Sequence, residues 1–250
     1  MDRKATDWIG NILALAVTIA VNVLANALPI AGKTTGQVSD KYFSLFTPAG
    51  FTFSIWGLIY AALIAFVVYQ ALPAQRQDES LARLGVPFRI SCVANALWLV
   101  TWHLEWLVPS LMLMLLLLAM LVRIYRTLDS VDAGFARRWL VQAPFSLYLG
   151  WISVATIANA SAVQTALYWN DLGLDATTWT LAKLALAAAI ACVVSLRRRD
   201  VVFPLVVAWA AWGIASGQAD VPAVAGAAMT VMLVAALVAV FELQRRLRTN

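Results

Sequence analysis

Eight apolar stretches, most of them about 20 residues long, follow one another along this chain with charged, glycine or proline residues between them. They run Trp8 to Ile30, Phe51 to Ala71, Phe88 to Leu107, Ser110 to Tyr125, Trp139 to Val163, Trp179 to Leu196, Val201 to Ile214 and Val221 to Phe241. In lipid a backbone must satisfy its own hydrogen bonds, so such stretches predict helices that cross a bilayer. The expected fold class is an all-α integral membrane protein with eight transmembrane helices. Composition agrees: 62% of the residues are hydrophobic and 12% charged, against about a quarter charged in soluble domains. Val201 to Ile214 is short for a perpendicular crossing. Pro109 divides the third stretch from the fourth across almost no loop, which predicts a tight antiparallel hairpin. The first stretch follows Arg3 and Lys4, as a signal peptide would, but it is long and contains Asn11, Asn22 and Asn26, so it reads as a retained helix.

Placement of the basic residues tests the count of helices. Eight spans put all but Lys33, Lys41 and Lys183 of the 18 Lys and Arg on the side of the two termini. Removing any one span scrambles that split. The bias therefore predicts cytoplasmic termini, with a bacterial inner membrane as the expected location. Lys183, five residues into its stretch, is expected to snorkel to the interface. Basic residues sit at the ends of apolar runs and form no continuous polar face, which argues against nucleic acid as a partner. Cys92 and Cys192 lie inside apolar runs and read as small core residues. With His103 the one histidine, a multi-His metal site is excluded, while porphyrin iron with one axial ligand stays open.

Three stretches carry polar and aromatic residues at helical spacing. The second has Phe53, Trp56 and Tyr60; the third has Asn95, Trp98, Trp102 and Trp106; the fifth has Tyr148, Trp151 and Asn159. At ~100° per residue the third and fifth sets each fall within about 80° of arc. One reading is packing, with Trp filling space and Asn bonding a neighbouring helix. The other is the wall of a cavity. Flat indoles with scattered amides suit a planar or polycyclic apolar ligand held by a few polar contacts.

The segments TPAGFTFSIWGLIY (Thr47 to Tyr60), ANALW (Ala94 to Trp98) and YLGWISVATIAN (Tyr148 to Asn159) resemble the TspO/translocator-protein family, the tryptophan-rich sensory proteins. The family's second helix follows a proline-rich segment and carries Trp-x-x-x-Tyr, matched by Pro48, Trp56 and Tyr60. Its third carries Asn-x-x-Trp, matched by Asn95 and Trp98. Its fifth carries Tyr-x-x-Trp and then Asn, matched by Tyr148, Trp151 and Asn159. Phe53 and Leu147 stand where the family has prolines. The resemblance covers Trp8 to Asn170. It implies a five-helix TspO-like bundle in residues 1–170, with about three additional transmembrane helices and a basic cytoplasmic tail in 171–250. It also implies a cavity roofed by the loop after the first helix and lined by Trp56, Tyr60, Asn95, Trp98, Trp151 and Asn159. Phe53, Trp102 and Tyr148 join that candidate set through the faces described above. Family members bind porphyrins, sterols and benzodiazepine-type molecules, and often form homodimers.

The resulting expectation is a receptor- or carrier-type protein for a small hydrophobic ligand such as a tetrapyrrole, with no required cofactor and a porphyrin as the candidate bound molecule. An enzyme acting on a pigment or lipid is the second reading. The spans offer it no carboxylate pair and no nucleophile–base–orienter set, which tilts the balance away from catalysis. His103 and Glu105 are expected to sit solvated at the interface. A small-solute transporter is the third; no internal repeat supports it.

Overall fold

The computed structural model describes residues 5–28, 30–128, 134–169 and 171–249. Arg3 and Lys4 of the charge split and Asn170 at the end of the resemblance lie outside the described residues. Among the described residues every regular element is helical: α1 (Ala5–Ala27), α2 (Thr35–Lys41), α3 (Ile55–Ala71), α4 (Glu79–His103), α5 (Leu107–Thr127), α6 (Phe135–Arg137), α7 (Ala143–Ala166), α8 (Ala176–Arg198), α9 (Val202–Gly217) and α10 (Pro222–Thr249). A π-helical turn, Arg138–Gln142, joins α6 to α7, and a 3₁₀ turn, Gly50–Ser54, leads into α3. Seven of the described helical stretches are long and apolar enough to cross a membrane. The eighth, α9, has 16 residues, or about 24 Å at 1.5 Å per residue, against a core of about 30 Å. The chain is an integral membrane protein, and it divides into two compact units: Met1–Val38 with Ile55–Leu149, and Ser39–Ser54 with Gly150–Asn250.

In the first unit α1 packs on α3 and α4, and α4 on α5. Helix α4 begins at Glu79, not at Phe88 as its apolar run suggests. Asp78 caps it, accepting from the backbone N–H of Ser80 at 2.8 Å and of Leu81 at 3.2 Å. The helix then continues through Pro87. The hairpin to α5 turns at Leu104–Trp106, where Glu105 takes a left-handed φ of 59°. Pro109 does not divide the helices. It lies in the first turn of α5, where its missing N–H costs nothing. Phe66, Phe88 and Phe145 meet edge to face at the centre, with ring centroids 4.7 to 5.8 Å apart.

Polar residues bond the helices of this unit together. Asn11, Thr18 and Asn22 lie on one buried face of α1. The Asn11 amide donates to Gln70 Oε1 at 2.9 Å, and Arg89 donates to both Asn11 Oδ1 and Asp7 Oδ1 at 3.0 Å. Thr18 donates to the Cys92 carbonyl at 3.1 Å. Such bonds hold helices together where lipid, as apolar as leucine, provides no hydrophobic force between them.

The second unit is built from small residues. Helices α8, α9 and α10 pack on one another, and α9 buries Ala208, Ala210, Ala211, Gly213 and Ala215. The irregular segment before α3 lies directly on α9. Ala49 N–H donates to the Gly213 carbonyl at 2.9 Å, Gln218 to the Thr47 carbonyl at 3.0 Å, and the Trp209 indole to the Thr52 carbonyl at 3.0 Å. A Cβ at Gly213 would overlap Thr52 Oγ1, and one at Gly217 would stand 2.9 Å from Ala49 N. These two glycines, one turn apart, are what allow backbone to approach backbone here.

Candidate ligand-binding site

Four aromatic rings from two helices form a ladder in the first unit. Trp56 and Tyr60, one turn apart on α3, stack at 5.5 Å and 22°. Trp98 and Trp102, one turn apart on α4, stack at 6.2 Å and 24°. Trp56 joins the two pairs, stacking on Trp98 at 6.1 Å and 27°. The regular i, i+4 step sets the run of rings along each helix, and the contact of Trp56 with Trp98 makes it continuous. Tyr148 closes one edge, meeting Trp56 side-on at 6.0 Å and 70°. Trp98 and Trp102 are buried, whereas Trp56 and Tyr60 are half-buried and give the ladder its accessible part.

A row of polar groups runs beside the rings. Asn95 lies one turn before Trp98 and is fully buried. Its amide donates to the Tyr148 hydroxyl at 2.9 Å, and its carbonyl accepts from Asn22 at 2.9 Å. Asn22 in turn donates to the Thr18 carbonyl at 2.9 Å. The Trp102 indole donates to the Thr35 carbonyl at 3.2 Å, tying the segment after α1 to α4, and Lys33 forms an ion pair with Glu105. The indole N–H of Trp98 differs from these: it is buried and has no hydrogen-bond partner in the protein. An unpartnered buried donor costs about 1–3 kcal/mol and calls for an explanation.

The structure thus brings together six of the nine candidate residues: Trp56, Tyr60, Asn95, Trp98, Trp102 and Tyr148. Phe53, Trp151 and Asn159 belong to the second unit. There Phe53 and Trp151 meet edge to face at 6.1 Å and 84°, and Asn159 lies buried two turns further along α7. Trp106 leaves the stripe that its spacing suggests, because α4 has ended; it caps α5 and is 58% exposed. His103 and Glu105 are not solvated interface groups. His103 is fully buried with Nδ1 2.8 Å from the Leu99 carbonyl, and Glu105 is held by Lys33. Lys183 does not simply extend to the interface either: its ammonium donates to Ser161 at 2.8 Å and Gln164 at 2.7 Å. Asn22 and Thr35 were missed as supports of the site. Asn22 could have been found, since Asn11, Thr18 and Asn22 recur at i, i+7 and i+11 on one helical face.

A family model described as TSPO-like protein matches residues 7–241. The chain belongs to the TSPO-like family. The match continues past residue 170 through α8 and α9 and into α10, so this TSPO-like chain shares its family pattern along nearly all of its transmembrane length. No curated protein and no solved structure matches it.

Proposed function

We propose that this TSPO-like protein is a receptor or carrier for a flat hydrophobic molecule, of the tetrapyrrole or sterol kind, which lies against the ladder of Tyr60, Trp56, Trp98 and Trp102. The observation that carries the reading is the Trp98 indole N–H, a buried donor without an acceptor at the middle of the ladder. A ligand carbonyl, carboxylate or hydroxyl would supply that acceptor. Trp56 and Tyr60 are half-buried, so a flat ring system would approach the ladder from their end. Asn95, Tyr148 and Asn22 do not need the ligand, since they satisfy one another; they hold the helices so that the rings keep their line.

Protoporphyrin titration, read by quenching of tryptophan fluorescence, tests the proposal. Trp98→Phe keeps the flat ring and removes the donor, and is expected to weaken binding about five- to tenfold, the worth of one hydrogen bond of about 1 kcal/mol. Trp98→Ala, which interrupts the ladder, should abolish saturable quenching. Unchanged affinity in both variants would overturn the assignment. Protoporphyrin recovered chemically intact after illumination would separate binding from turnover.

A further inference from the structure

Helices α8 and α10 finish at the same end of the second unit. Three residues, Arg199 to Val201, separate α8 from α9, and four, Gln218 to Val221, separate α9 from α10. The three helices pack on one another, so α9 runs antiparallel to the other two. The buried row of α10 steps along one face through Val224, Ala228, Val231, Ala235 and Ala239 to Glu242. Beyond that residue the helix continues to Thr249. Its 28 residues make a rod of about 42 Å at 1.5 Å per residue, whereas α9 spans about 24 Å. A bilayer with both head-group layers is about 40–45 Å thick. The last turns of α10 therefore lie at the level of the head groups, with Leu243 and Leu247 exposed among the basic residues.

This end of the unit is strongly basic. Arg197, Arg198 and Arg199 close α8, and Arg245, Arg246 and Arg248 close α10. Among the described residues of the unit two carboxylates share that end, Asp200 and Glu242, and both are buried. Asp200 Oδ1 accepts from the N–H of Val202 at 2.8 Å and of Phe203 at 3.2 Å, which caps α9. Glu242 Oε1 accepts from Arg245 at 2.8 Å. Six arginines outnumber two acids, so positive charge stays in excess here whichever arginines the two carboxylates engage. Arg197 and Arg248 are exposed and Arg199 is half-buried. At the other end, where α8 and α10 begin, the balance is reversed: Asp171, Asp175 and Asp220 outnumber Lys183. All the basic residues of the α8–α10 end are arginines, whose planar fork fits a phosphate through two parallel hydrogen bonds. A cluster of this size at the mouth of membrane helices matches the charge of an anionic leaflet.

We propose that the shared end of α8 and α10 is a docking surface for anionic phospholipid. Arg197, Arg199 and Arg248 take the lipid phosphates, and Leu243 and Leu247 meet the upper part of the acyl chains. The surface shares no residue with the aromatic ladder, so it stands whether or not the ladder binds a ligand.

The purified full chain in detergent micelles is incubated with dioleoylphosphatidylglycerol or with dioleoylphosphatidylcholine, which share acyl chains and a phosphate but differ in net charge. Native mass spectrometry then reads the lipid retained. The anionic lipid is expected to be held about tenfold more tightly. Combining Arg197→Gln, Arg199→Gln and Arg248→Gln should lower that preference at least about fivefold, the contribution of one arginine near an anionic surface. Arg123→Gln with Arg126→Gln, at the end of α5 in the first unit, should lower it less than about twofold. Equal retention of the two lipids by the unmodified protein overturns the proposal, whether or not any variant folds. So does a preference unchanged in a triple variant that keeps its helical circular dichroism. An equal loss in the Arg123 and Arg126 variant also overturns it, because the response would then belong to basic residues in general and not to α8 and α10.

Discussion

The two units of this chain solve the same packing problem with opposite materials. The first fills its interior with large side chains, among them Phe66, Phe88, Phe145, Trp98 and Trp102, and bonds its helices through Asn11, Asn22, Gln70 and Asn95. The second brings backbones close over Ala208, Ala211, Gly213, Ala228, Ala235 and Ala239. A core of large residues is sensitive to losing atoms, and a core of small residues to gaining them. Truncation should therefore hurt most in the first unit. Phe66→Ala removes a fully buried ring from between Phe88 and Phe145 and is expected to cost about 3–5 kcal/mol in detergent unfolding. Gly213→Ala does the reverse in α9. It drives a methyl into Thr52, whose side chain is fully buried and cannot swing away, and should cost about 1–3 kcal/mol. If Gly213→Ala were silent while Gly57→Ala, with open space at its Cβ, were not, the contrast between the units would be wrong.

The contrast also explains what was legible in the sequence. Long apolar runs announce membrane helices whatever fills the space between them, so seven spans and a short helix followed directly from hydropathy. The ends of the helices did not. Glu79 to Pro87 reads as a polar, broken segment, yet it is helical because Asp78 caps it and Arg89 finds Asp7 on α1, partners that only the fold brings near. For the site, indoles and tyrosines at a spacing of four showed which rings share a face, and that was enough to select Trp56, Tyr60, Trp98 and Trp102. The closing contact between Trp56 and Trp98, and the buried, unpartnered state of the Trp98 indole N–H, depend on how two helices meet. Periodicity along one helix contains no such information.

Hydrogen bonds between helices are the weaker half of the first unit's design, which makes them the finer test. Asn95→Leu keeps the volume but leaves the Tyr148 hydroxyl without its donor, while Asn22 retains the Thr18 carbonyl. Pairs of this kind in membrane helices are worth about 0.6 kcal/mol on average and up to about 1.7 kcal/mol. The expected loss is therefore about 1 kcal/mol, below either packing variant. A loss as large as that of Phe66→Ala would mean that polar bonds, not rings, hold this unit together.

The smallest effect belongs to a polar contact at the end of a helix. Partial burial pushes the Asp78 carboxyl up, but hydrogen bonds from Ser80, Arg137 and the Leu81 N–H outweigh it and hold the group below the usual carboxylate range. Arg137 reaches Asp78 Oδ2 at 2.5 Å and also bonds Ser80. Because the folded state binds this proton less readily than the unfolded chain, the contribution is fully present above the unfolded value near 4 and is lost as pH falls through the lower folded value. Stability measured between about pH 6 and pH 3 should decline on the acid side. Arg137→Gln removes the charged partner and leaves the Ser80 and Leu81 bonds, so the decline at Asp78 should become shallower, with a loss at neutral pH of at most about 1 kcal/mol. An acid limb identical in the Arg137→Gln and unmodified proteins would show that the cap alone, and not the ion pair, holds the start of α4.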